Sequence, residues 1–121
     1  MKKAFTLIEM LVVVLLLALL LGTAVPFFSW ARDKAMDDNA VNRAVLLNSA
    51  KSQYLLEYGY LAHTAFNTRT NLNKYGVLQT YMGYVATTLS SYIPSGYTYS
   101  LKNLNQKVAV TTTSRGVSLS Y

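Results

Sequence analysis

The chain has no cysteine, one histidine and two prolines in 121 residues. Without thiols there is neither a disulfide scaffold nor a thiolate metal site. Charge is scarce too, at 13%, against roughly a quarter in ordinary soluble domains. Acids are scarcest: Glu9, Asp33, Asp37, Asp38 and Glu57 are all of them, and none lies between Tyr58 and Tyr121. His63 therefore stands in a half of the chain with no acid and no thiol to help it as a base or a metal ligand. A nucleophile elbow, a Gly-rich phosphate loop and metal-ligand spacing are all missing. The expectation is a protein that is not an enzyme, with no metal and no cofactor.

What is present is one long apolar run. From Phe5 to Phe28, 19 of 24 residues are apolar and Glu9 is the only charge. The 93 positions from Ser29 to Tyr121 hold 42 apolar residues, about 45% and ordinary for a folded domain. One greasy segment followed by a globular composition excludes a polytopic membrane protein and a disordered chain. As a helix the run would reach ~36 Å, enough to cross a hydrocarbon core of ~30 Å.

Three readings compete for this run. Lys2 and Lys3 ahead of the Leu/Val stretch, with Gly22-Thr23-Ala24 behind it, suit a secretory signal peptide. A plain single-pass anchor needs no more than the apolar length. Neither has a use for Glu9, and an acid at the centre of a spanning helix costs ~2.5–3.5 kcal/mol. The string Lys2-Lys3-Ala4-Phe5-Thr6-Leu7-Ile8-Glu9-Met10-Leu11 accounts for it, because it closely resembles the class III signal of type IV prepilins and pseudopilins. Ala4 stands where the family usually has Gly, and is also small. The resemblance implies a leader of residues 1–4, cleavage after Ala4 by a prepilin peptidase, and a methylated amine at Phe5. It also implies an inner-membrane precursor with a single span and a partner set of like subunits, an assembly platform and an ATPase. A surface filament for adhesion, motility or DNA uptake would result; a pseudopilin of a secretion or competence apparatus is the alternative. A cationic amine at Phe5 and Glu9 of a neighbouring subunit, ~4 Å apart, gain on the order of 4 kcal/mol at an effective dielectric of ~20, so Glu9 is expected to set assembly register.

Beyond the run the helical period continues. Met36, Ala40, Ala44, Leu47, Ala50, Tyr54, Tyr58 and Leu61 recur at three and four, which is one helix face. The spine is thus read as 5–28, for membrane and polymerisation, and 29–61, amphipathic, with Gly59 as its terminator. Gly22 and Pro26 are expected to bend or melt it, and Phe27, Phe28 and Trp30 to sit at a membrane interface.

The head is read as 62–121, with a connecting region 62–96 and a sheet 97–121. Tyr60 to Lys74 shows no period and reads as a loop. Leu78, Tyr81 or Met82, Val85, Leu89 and Tyr92 suggest a helix from Val77 to Ser91. The last 25 residues alternate: Tyr97, Tyr99, Leu101; Val108, Val110, Thr112; Val117, Leu119, Tyr121. Turn residues separate the three sets, which predicts an antiparallel meander with one apolar face. The fold class is then α+β, a helical spine packed on a small three-stranded antiparallel sheet, matching the family's order. The disulfide and the carboxylate-bound calcium frequent in the family have no residues here to form them.

Arg69, Lys74, Lys102, Lys107 and Arg115 leave the C-terminal half at +5, a set that suits anions such as DNA. The plainer reading of the same charges is solubility, with contacts to Asp33, Asp37 and Asp38 of a neighbouring copy. Tyrosine is abundant, ten residues all from Tyr54 onward, and core packing is its default role. Base stacking by exposed Tyr is the DNA-binding variant.

Overall fold

The computed structural model describes residues 3–83 and 86–121. Helix α1 spans Leu7–Asn67, α2 Asn71–Leu78 and α3 Leu89–Tyr92, with a 3₁₀ turn at Gln79–Met82; strands β1 Tyr97–Ser100, β2 Ala109–Thr112 and β3 Ser118–Leu119 follow. The chain resolves into two compact units, one through Met36 and the other Asp37–Tyr121.

The first unit holds the apolar part of α1, whose large side chains from Phe5 to Trp30 are all exposed. It is long and apolar enough to cross a membrane. The torsions of α1 stay helical through Gly22 and Pro26, and Gly59 alone departs from them. No melting is present at the proline.

The second unit is built on the meander. The sheet order is β1-β2-β3, antiparallel throughout, with Tyr99 opposite Val110 and Val110 opposite Leu119. Tyr99, Leu101, Val108, Val110 and Thr112 are buried, as the alternation requires, whereas Val117 is exposed. Ala40, Ala44, Leu47, Ala50 and Tyr54 form the buried helix stripe. Around them close Phe66, Tyr75, Leu78, Leu89, Tyr92 and Leu104.

Three expectations are corrected here. The stripe does not run on to Tyr58 and Leu61, which are exposed, Leu61 at 89%. Gly59 takes φ 67°, ψ −161°, and this break moves the inward face by one position, so that Ala62 and Phe66 are buried instead. Gly59 accordingly ends the first helical stretch, as its composition predicts, and a second stretch runs on from it to Asn67 within α1. The segment Tyr60 to Lys74 is mostly helical, as the end of α1 and the start of α2. Thr70 starts α2, its side chain accepting from Asn73 N at 3.4 Å. Finally, the single helix from Val77 to Ser91 is instead three short pieces. Gly83 at φ 68° ends the 3₁₀ turn, and a reciprocal cap between Thr88 and Ser91 starts α3 afresh. Val85, one of the periodic positions, lies outside the described residues.

Side chains of the helices hold the β1–β2 connection by its backbone. Asn71, Asn67 and Asn48 accept from Leu101 N at 3.2 Å, Leu104 N at 2.9 Å and Val108 N at 3.0 Å. Lys51 donates to Leu101 O at 2.7 Å and also to Gln106 O, and Lys74 donates to Lys102 O at 2.6 Å.

Candidate functional site

Lys3 to Thr6 carry no regular secondary structure, and Phe5 is 77% exposed. The Ala4–Phe5 bond thus lies ahead of the helix. Thr6 then caps α1. Thr6 N donates to Glu9 Oε2 at 2.9 Å and Glu9 N donates to Thr6 Oγ1 at 3.3 Å. This is a capping box, two otherwise orphaned donors satisfied reciprocally, and it places a carboxylate at the positive end of the helix dipole. The sequence carries the signal, since Thr6-x-x-Glu9 directly precedes the apolar run.

Further along, Pro26 removes the N–H that would have met the carbonyl four residues back, at Gly22. Hydroxyls nearby turn back onto the helix. Thr23 Oγ1 donates to Leu20 O at 3.1 Å and Ser29 Oγ to Pro26 O at 2.9 Å.

The five basic residues of the C-terminal half are not one patch. Arg115 donates to Asp37 at 2.8 and 3.0 Å, and Tyr97 donates to the same carboxylate at 2.6 Å. The pairing is with the chain's own Asp37. Lys74 is buried on Lys102 O with its ammonium 5.5 Å from the Phe66 ring. Lys107 donates to Tyr121 O at 2.8 Å. Arg69 and Lys102 are exposed. Among the described residues the exposed tyrosines are Tyr58 and Tyr60; the buried Tyr92 and Tyr99 give their hydroxyl protons to Arg43 O and Ala40 O. Among the described residues no group of three or more His, Cys, Asp or Glu comes together as a metal would need.

Lys51, expected mostly off the stripe with the other charged residues, lies on it instead. It lies four after Leu47 and three before Tyr54, hence on the inward stripe, and is 2% exposed. Burial, and secondarily the Lys74 charge, push its pKa down to about 8. Burial lowers Lys74 as well and raises Tyr99, while Tyr92 is pushed up to about 12. Between pH 8 and the 10.5 of an ordinary lysine the unfolded chain binds the proton that folded Lys51 has lost. Stability therefore climbs with pH in that window, by up to about 1.4 kcal/mol per unit. Above pH 10 the unfolded tyrosines ionise first, and stability falls. Thermal unfolding of the full chain in detergent micelles should show a maximum near pH 10. Lys51→Met, less stable overall because two carbonyls lose their donor, should flatten the rising limb.

An exposed, capped, apolar N-terminal helix ahead of a small antiparallel meander is an α+β, pilin-like architecture. Residues 1–25 match the family model described as the prokaryotic N-terminal methylation motif, the class III signal of type IV pilins and pseudopilins. No curated protein and no solved structure matches the chain.

Proposed function

We propose that the chain is a structural subunit of a type IV pilus-like filament. It is inserted in the inner membrane, cut after Ala4 by a prepilin peptidase, methylated at Phe5 and polymerised through its N-terminal helix. An assembly platform with its ATPase drives the polymerisation. The observation that carries this reading is the methylation motif over residues 1–25 on a helix whose apolar side chains have no cover of their own. Such a surface is stable only in lipid or against other subunits. The leader of residues 1–4, the span 5–28, the spine 29–61 and the head 62–121 are then successive working parts. Glu9 is the assembly charge, Gly22 and Pro26 the points of weakness when the helix leaves the bilayer, and the polar head faces outward.

Mass spectrometry of the mature protein tests the reading. The expected N-terminus is Phe5 carrying one added methyl group. A start at Val25 would identify an ordinary signal peptide and remove the filament.

A further inference from the structure

Past Gly59, two side chains of α1 carry a hydrogen-bond relay into the β1–β2 connection. His63 and Asn67 lie one turn apart, at the end of the helix. Asn67 Nδ2 and His63 Nδ1 are 2.9 Å apart, and Leu104 N donates to Asn67 Oδ1 at 2.9 Å. A backbone N–H can only donate, so the amide oxygen has to face Leu104. The Asn67 nitrogen, also a donor alone, then faces the ring, and His63 Nδ1 has to accept. The relay therefore exists for one form of the ring, neutral with its proton on Nε2.

A protonated ring has no place in it. Both nitrogens of an imidazolium are donors, and two donors would meet at 2.9 Å. Turning the Asn67 amide over offers the ring an oxygen but sets Nδ2 against Leu104 N. Turning the ring over sets a carbon against Asn67. Each escape gives up one of the two bonds. Swinging the ring away gives up its stack on Tyr60, where the centres are 5.8 Å apart and the planes 7° from parallel.

The surrounding charges supply no counter-ion. Arg69 follows α1, Lys74 stands in α2, and Lys102 and Lys107 belong to the β1–β2 connection. Tyr60 is the titratable neighbour on the ring's own turn. The last acid before it, Glu57, accepts from the Tyr81 hydroxyl, and no Asp or Glu follows. Lys51 also grips the connection but titrates higher, at about 8. His63 is half-buried, so solvent protons can reach it. We propose that His63, Asn67 and the Leu104 amide form an acid-sensitive latch, which holds the β1–β2 connection while the ring is neutral and releases it when the ring is protonated. Imidazole changes charge between about pH 5 and 8. The open latch binds a proton that the closed one excludes, so closure strengthens as pH rises through that range and is lost as it falls. The surface under its control is the exposed Lys102, Asn103, Asn105 and Gln106 around buried Leu104. The latch belongs to the head alone and does not depend on the filament reading.

Nitrogen-15 NMR of the full chain in detergent micelles tests it. At about pH 7.5 the ring should be in the Nε2–H form, with the Leu104 amide protected from hydrogen exchange. At about pH 5 that protection, corrected for the intrinsic rate, should fall at least about tenfold, along the titration of the His63 ring. His63→Phe keeps a ring for Tyr60 and takes no proton, so its Leu104 protection should be equal at the two pH values. Asn67→Asp should reverse the sign, because a carboxylate accepts from Leu104 N and from a protonated ring together. Unchanged protection in the unsubstituted chain, an equal loss in His63→Phe, or an Nδ1–H ring at the higher pH would overturn the latch.

Discussion

Replacing Glu9 by leucine is expected to abolish filaments while improving membrane insertion. Two effects on the membrane side have opposite sign. Losing the carboxylate removes a desolvation cost that reaches ~2.5–3.5 kcal/mol at the centre of a span and less near its ends. Losing the capping box costs about 1 kcal/mol of helix stability. Insertion and processing should therefore hold or rise. Assembly should collapse, because the cationic amine of Phe5 then enters an apolar interface with no counter-charge, and an unpaired buried charge costs ~3–5 kcal/mol. A loss of only ~1.4 kcal/mol is tenfold in an equilibrium, so electron microscopy of sheared material should show less than a tenth of the normal filament mass. Glu9→Gln separates the two roles of the residue. Glutamine at this position still accepts from Thr6 N and keeps the cap, but it carries no charge. A glutamine variant as defective as leucine assigns the effect to charge pairing between subunits. Normal filaments from the glutamine variant would mean that Glu9 works only as a cap, and the pairing argument fails.

Gly59→Ala should be the most damaging single-methyl change in the head, although there is ample room for the methyl. Nothing lies within 4 Å of the position a Cβ would take. The obstacle is the backbone: φ 67° with ψ −161° belongs to a region essentially restricted to glycine, and holding another residue there costs ~1–3 kcal/mol. Straightening the helix is no escape. It would turn Leu61 inward and carry Phe66 off the core, where Phe66 meets Tyr54 at a ring distance of 5.6 Å and sits beneath the Lys74 ammonium. Each kcal/mol lost should lower the midpoint by about 4–8 °C in a unit of this size. Gly76→Ala is the control. It lies in α2 with no strained torsion and open space around it, so alanine should stabilise by ~0.5–1 kcal/mol. Equal melting of the two variants would show that the Gly59 torsion carries no strain.

Much of this architecture is legible in sequence because it rests on period. The three alternating sets at the C-terminus became β1, β2 and β3 in order, and the stripe from Ala40 to Tyr54 became the buried helix face. Reading failed where one residue resets the period. Gly59 reads as a helix end by composition; that the helix resumes one position out of phase depends on a torsion that only the completed core selects. Gly83 and the Thr88–Ser91 cap divide a run whose apolar spacing looks continuous. Lys51, which its charge assigns to the solvent side, is buried for a different reason. A lysine among apolar stripe positions looks like a solvated exception until the carbonyls of Leu101 and Gln106 arrive from fifty residues away to meet it. Of the candidate site, Glu9 and its motif were visible from residue types alone. The Thr6 side of the cap was written in the same four residues and is apparent only once the helix start is placed.

The β1–β2 connection is gripped through its amides and carbonyls by Asn48, Asn67, Asn71, Lys51 and Lys74. Leu101, Leu104 and Val108 are the side chains it buries. The side chains of Asn103 and Asn105 are both exposed, and the grip on the connection does not pass through them. A surface that is fixed in shape and free in chemistry can accept substitutions while the head beneath it stays unaltered. In the proposed filament it is where a foreign epitope could be displayed.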